Sequence, residues 1–145
     1  MAVAVEGPVP LNRPRWRGDE ALPLARTCYD HLAGRLGVAL TDAFVERGYV
    51  LLGQDGGIVT VPGEAFFADF GIDLHQRGHG KRAFCRPCLD WSERRPHLAG
   101  AVGAVLARRG FELGWITRLR DTRALAISAE GRAGLAKTFG IALPD

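Results

Sequence analysis

The sequence predicts an α+β fold made of two helix–β-hairpin–helix units, related as an internal repeat with pseudo-two-fold symmetry. Three observations predict it. His31-Leu32-Ala33-Gly34 recurs as His97-Leu98-Ala99-Gly100, an offset of 66 residues. At the same offset Gly37 matches Gly103, Leu40 matches Leu106, Glu46 matches Glu112 and Gly48 matches Gly114, and Phe70-Gly71-Ile72 returns after a small indel as Phe139-Gly140-Ile141. Each copy also passes in the same order from an i+4 apolar spacing to a tight-turn signal and on to a second helix start. So many ordered matches mark a duplicated unit of roughly sixty residues.

The elements follow in chain order. Residues 1–24 carry Pro8, Pro10, Pro14 and Pro23 with Trp16 among arginines, and read as an extended arm. The first unit spans 25–75. In it Leu32, Leu36, Leu40 and Phe44 recur at i+4, with Ala39 and Ala43 beside them, giving an amphipathic helix that ends at Gly48. Tyr49 to Leu52 and Ile58 to Val61 flank Gln54-Asp55-Gly56-Gly57, and Asp-Gly is a favoured hairpin turn. Pro62 then opens a short helix over about Gly63 to Phe70.

A polar, glycine-containing joint covers 76–84, and the second unit spans 85–145. There Leu98, Val102, Val105 and Leu106 carry a helix to Gly114. Trp115 to Leu119 and Ala124 to Ile127 form a hairpin around Arg120-Asp121-Thr122-Arg123. Ser128 caps a closing helix, Ala129 to Phe139. Helix, hairpin, helix is the back end of a winged helix, with the hairpin as its wing. Only seven residues separate Val38 from Glu46, too few for a turn and a separate recognition helix, so one continuous helix is expected. The fold is thus a degenerate winged-helix repeat.

The paired glycines bear on packing. Gly34 with Gly37, and Gly100 with Gly103, lie three apart in the expected helices, where each costs about 1 kcal/mol relative to Ala. A cost met twice points to close backbone approach. The expectation is that the two long helices cross at these glycines.

Composition narrows the function. At 145 residues and 47% hydrophobic content the chain suits a small globular fold rather than a disordered one. It has no apolar run long enough to span a bilayer and no signal peptide, so no membrane partner is expected. Three cysteines cannot all pair internally, which makes a reducing cytoplasm the default and assigns cysteine a thiol or metal-ligand role. Net charge is +3, but residues 1–74 hold six Arg against ten acids, whereas 75–145 hold thirteen Lys plus Arg against six acids. Such asymmetry fits either an anionic partner for the second half or attraction between the halves.

Cys28, Asp30 and His31 are expected within one helical turn, and Cys85, Cys88, Asp90 and His97 cluster in the second copy. Thiolate and imidazole at such spacings suit zinc or another soft metal, with Cys28, His31, Cys85, Cys88 and His97 as candidate ligands. The competing reading buries each cysteine as a small apolar residue, with the acid of each Cys-x-Asp capping the following helix. The histidines, expected at the helix starts, then pair with Asp30 or Asp90.

Arg118, Arg120 and Arg123 of the second wing, with Arg108 and Arg109, are candidates for DNA phosphates; the alternative is a solvated basic face. Tyr49, Trp91 and Trp115 are candidates for a small-molecule pocket between the copies, against simple core packing. An enzyme would need a nucleophile with an activating base. Cys28 with His31 is the one such pair close in sequence, and no phosphate loop, serine elbow or zinc-protease motif occurs.

Arg-Thr-Cys-Tyr-Asp-His-Leu-Ala-Gly at 26–34, Phe-Cys-Arg-Pro-Cys-Leu-Asp-Trp-Ser-Glu-Arg-Arg-Pro-His-Leu-Ala-Gly at 84–100, and the Glu-Leu-Gly-Trp start of the second wing carry a further signal. Over residues 25–142 the chain resembles the C-terminal region of bacterial arsenic-repressor-type (ArsR) transcription regulators. In that group a winged-helix domain for DNA binding and dimerisation precedes this region. The resemblance implies either a stand-alone relative of the effector region or part of a longer chain. It also implies a metal or small-molecule effector and DNA as partner, met directly, as a homodimer or through a separate DNA-binding protein. The metal ligands of the wider family lie in the preceding domain, so none carries over.

Overall fold

The structure, a computed structural model, describes residues 23–54, 56–74, 85–90 and 92–144. Among them are four helices and four two-stranded antiparallel hairpins, an α+β arrangement consistent with a winged-helix-like fold. A hairpin of β1 (Arg26–Cys28) and β2 (His31–Ala33) leads into α1 (Gly34–Glu46). The hairpin β3 (Val50–Leu52) and β4 (Gly57–Val59) follows, then α2 (Val61–Asp69). The same order is run again by β5 (Arg86–Leu89), β6 (Pro96–Ala99), α3 (Gly100–Glu112), β7 (Ile116–Arg118), β8 (Leu125–Ile127) and α4 (Ala129–Phe139). The expected arm over 1–24, apart from Pro23 and Leu24, and the expected joint over 76–84 lie outside the described residues.

Local chemistry accounts for most of these boundaries. Thr60 caps α2 by accepting from the Gly63 N–H at 3.1 Å while its hydroxyl donates to the Gly48 carbonyl at 2.6 Å. Ser128 does the same for α4, accepting from Gly131 at 2.9 Å and donating to Gly114 at 2.7 Å. One hydroxyl thereby satisfies an orphan helix donor and ties the cap to the end of the preceding long helix.

The core is shared between the two halves. Phe44 meets Phe67 and Phe139 edge-on, with centroids 5.3 and 5.4 Å apart, so the closing helix α4 completes the packing begun by α1 and α2. Backbone bonds also join first half to second. Leu125 donates to Ala25 at 2.9 Å and Thr27 to Arg123 at 2.9 Å, while Gly57 donates to Cys85 at 2.9 Å. Each outer hairpin is therefore laced to the segment that opens the other half.

Two expectations are corrected. The i+4 row of leucines does not begin in a helix: Leu32 belongs to β2, and α1 starts at Gly34. Gly34 and Gly100 hold φ of +76° and +81°, a left-handed turn that lets an extended strand run directly into a helix. Leu32 still faces the core, which is why its spacing imitates helical periodicity.

The glycine pairs are not a helix–helix crossing either. A Cβ at Gly37 would strike the Leu32 carbonyl and crowd His97 Cβ at 3.3 Å; one at Gly103 would strike the Leu98 carbonyl and lie 2.9 Å from His31 Cβ. Each glycine thus makes room for the histidine strand of the opposite half, and α1 packs on β6 as α3 packs on β2. The expectation of one unbroken helix in place of a helix-turn-helix agrees with α1, which runs 13 residues without a break.

Candidate metal centre

Strand register builds the centre. In the first hairpin Cys28 stands opposite His31, and in the second Cys88 stands opposite His97. Directly opposed residues of an antiparallel pair project on the same face, so each hairpin offers one thiol and one imidazole side by side. This replaces the expected helical turn as the reason for the clustering. The two faces then meet: the His31 and His97 rings lie 5.0 Å apart between centroids. Ligand atoms of Cys28, His31, Cys88 and His97 all fall within 4.8 Å of one another.

Both histidines are buried, at 3% and 1% exposure, and the two thiols are half-buried. Neither ring nitrogen of His31 has a hydrogen-bond partner, nor has Nε2 of His97. Buried polar atoms left in this way cost on the order of 1–3 kcal/mol each, so their concentration at one point calls for a ligand. Two sulfurs and two imidazole nitrogens form a donor set suited to zinc or another soft metal. Tetrahedral zinc holds such donors roughly 3.3–3.8 Å apart, so the group would contract by at most about 1–1.5 Å around an ion.

Charge in the centre is set by burial and by neighbours. Burial, and then the proximity of His97, lowers His31 to about 4, with Asp30 offsetting part of the fall. Burial and the adjacent Cys28 raise Cys88. A neutral His31 is a competent ligand at neutral pH, and a thiol raised as Cys88 is belongs to the kind a cation converts to thiolate.

Beneath His97 lies Asp90, fully buried. Its Oδ2 is 3.0 Å from His97 Nδ1 and also accepts from the backbone N–H of Gly34 at the start of α1. Its Oδ1 accepts from Arg26 at 2.9 Å, from the Ser92 hydroxyl at 2.7 Å, and from the N–H groups of Ser92 and Glu93 at 3.0 and 3.1 Å. Burial alone would raise this carboxyl, but the bonds from His97, Ser92, Gly34 and Glu93 outweigh it and hold Asp90 well below the usual carboxylate range. The corresponding acid of the first half differs: Asp30 is half exposed and lies 3.7 Å from His31 Nδ1. Sequence reasoning named Asp90 as a cap or a histidine partner and did not place it among the site residues. The repeated Cys-x-Asp was its signal.

The other candidates are placed elsewhere. Cys85 is buried against Gly57 of the first half, outside the group of four, and burial pushes its thiol up to about 11. Arg118, Arg120 and Arg123 are exposed on the second wing, with Arg118 lying over the Phe111 ring at 4.6 Å, and Arg108 is exposed on α3. Arg109 is engaged within the fold, donating to the Phe70 carbonyl at 2.8 Å. Trp115 lines a narrow apolar cleft with Leu36, Leu106 and Phe139, whereas Tyr49 stacks on Phe66 at 4.8 Å. Trp91 lies outside the described residues. Among the described residues no helix is long and apolar enough to cross a membrane.

No family model matches the chain, and no solved structure does. The chain is similar to the uncharacterized HTH-type transcriptional regulator YdfF of Bacillus subtilis (strain 168), with 43% identity over 120 residues. That match takes in 83% of this chain and 53% of the relative, so the chain spans about half the length of the curated regulator it resembles.

Proposed function

We propose that this chain is the effector module of an HTH-type transcription regulator related to the ArsR group, and that its effector is zinc or another soft metal held by Cys28, His31, Cys88 and His97. The observation that carries the reading is the convergence, within 4.8 Å, of two thiols and two buried imidazoles, three of whose four ring nitrogens lack a hydrogen-bond partner. Likeness to a regulator of which the match covers 53% supports a division of labour, with DNA contact made chiefly by a separate domain or partner.

We further read the two runs of elements, 25–75 and 85–145, as a duplication with pseudo-two-fold symmetry. The reciprocal packing of Gly37 against His97 and Gly103 against His31 supports this. On that reading the axis brings equivalent side chains to one point, and a metal there links the halves. Occupancy then biases how the halves sit together, and through them a homodimer or a DNA-binding partner.

The test is metal analysis of protein purified without chelator, followed by cobalt(II) substitution. One ion per chain is expected, with a sulfur-to-cobalt charge-transfer band. Cys28→Ser and Cys88→Ser should each weaken or abolish that band, while Cys85→Ser should keep it. Absence of stoichiometric metal and of the band would overturn the reading.

The wing supplies a second reading. Arg118, Arg120 and Arg123 are exposed together on β7 and the turn that follows it, in the half of the chain that carries the positive charge. Contacts from these side chains to DNA phosphates would position the module without reading sequence.

A further inference from the structure

We propose that Asp90 is the positioning residue of this metal centre: it fixes the His97 ring with its proton on Nδ1, presents Nε2 as the ligand atom, and ties that ligand to the N-terminus of α1. The inference rests on the metal reading above and deepens it. Asp90 is fully buried, and its carboxylate accepts from Arg26, Gly34, Ser92 and Glu93. An ionised carboxylate has no proton to give, so the 3.0 Å contact with His97 requires the donor to be the imidazole Nδ1–H. A neutral ring protonated on Nδ1 leaves its lone pair on Nε2. That nitrogen is buried, lacks a hydrogen-bond partner and belongs to the ring that lies tilted against His31, 5.0 Å between centroids. Carboxylates in this outer position commonly orient metal-bound histidines and raise their basicity.

The same carboxylate does a second thing. Its Oδ2 accepts from the Gly34 N–H, one of the donors that a helix start leaves unsatisfied, and a negative charge there is favoured by the helix dipole. Gly34 begins α1 in the first half, whereas Asp90 and His97 belong to the second. When an ion draws on the His97 ring, the pull reaches the start of α1 through two hydrogen bonds. Asp90 is therefore a hydrogen-bonded link from the centre to a long helix of the other half, beside the direct packing of that helix on the His97 strand.

Asp90→Asn discriminates. An amide keeps the size of the carboxyl but replaces one acceptor oxygen with a donor NH2. With that NH2 at the Oδ2 position it opposes the Gly34 N–H and drives the His97 proton to Nε2, where it blocks ligation. With the NH2 at Oδ1 it opposes Arg26 and the Ser92 N–H. Either orientation sets donor against donor.

The experiment titrates the full chain and its Asp90→Asn variant with cobalt(II) against a competing chelator. In parallel, nitrogen-15 spectra of the metal-free wild type read the tautomer of His97. The expected results are a 10- to 100-fold weaker affinity in the variant and an Nδ1–H tautomer in the wild type. Wild-type protein that takes up no cobalt overturns the metal reading, and this inference with it. Cobalt uptake by the wild type with equal affinity in the variant, or an Nε2–H tautomer in the wild type, overturns the positioning role alone. Should the variant fail to fold, the wild-type tautomer decides.

Discussion

His31 and His97 lie ring beside ring, 5.0 Å between centroids, although they are 66 residues apart and each pairs across a different hairpin with its own cysteine. Burial and a neighbouring imidazole both disfavour a charge on His31. Burial and the neighbouring His97 lower His31 from 6.5 to about 4 in the metal-free protein, with Asp30 opposing and Arg86 adding slightly. The folded pKa is below the unfolded one, so between these values the unfolded chain binds more protons. Stability is therefore full above about pH 6.5, falls as the pH drops through the window, and levels off below about pH 4. The expected loss is on the order of 3 kcal/mol. Urea titrations of metal-free protein across that range check it, and His31→Phe should flatten the slope; an unaltered slope would refute the assignment.

Gly37→Ala and Gly103→Ala should each destabilise the protein by about 1–3 kcal/mol, because the added methyl meets a fixed carbonyl and the Cβ of the opposing histidine. Gly56→Ala is the control. It has open space around it, and its effect should stay within about 0.5 kcal/mol. Chemical denaturation of the three variants tests this. Near-neutral values at positions 37 and 103 would mean the histidine strands sit further from the helices than described.

The three thiols should separate by reactivity. Cys85 is 3% exposed and raised to about 11, whereas Cys28 and Cys88 are half-buried. In metal-free protein at pH 8, iodoacetamide should label Cys85 at least about tenfold more slowly than the other two, since the thiolate is the reacting form. Added zinc should protect Cys28 and Cys88 in the metal reading. Peptide mapping of the alkylated chain reads both effects, and fast labelling of Cys85 contradicts its placement.

The wing arginines set the nucleic-acid prediction. Binding to mixed-sequence double-stranded DNA should be weak and should fall steeply between low and physiological salt. Replacing Arg118, Arg120 and Arg123 by Glu should lower the affinity at low salt and reduce the slope of log affinity against log salt by about two to three. Fluorescence anisotropy at several salt concentrations measures both. An unchanged slope removes the wing from the interface and leaves DNA contact to another domain or partner.

Much of the fold was legible in the sequence for a local reason. Hairpin turns, N-caps and helix ends are decided by a few neighbouring residues, so the second wing, Ser128 and the helix Ala129–Phe139 could be placed from residue types alone. The candidate ligands were legible as well, because equivalent Cys and His positions in a repeated string draw attention to themselves. The start of α1 was not. Leu32 lies on a strand that feeds straight into a helix, and both face one core, so period and spacing carry no mark of the change.

By itself the sequence determined the four helices, the two wing hairpins, their order, and the thiols and imidazoles available for chemistry, but not the hairpin that opens each half. Only the tertiary structure decided which of them meet. Hairpin register sets Cys28 beside His31 and Cys88 beside His97, and close packing at Gly37 and Gly103 brings the two pairs together while leaving Cys85 aside. It also decided that Asp90 of one half should support both a histidine of its own half and the helix start of the other. Contacts between residues distant in sequence depend on how whole elements pack, and no local propensity encodes them.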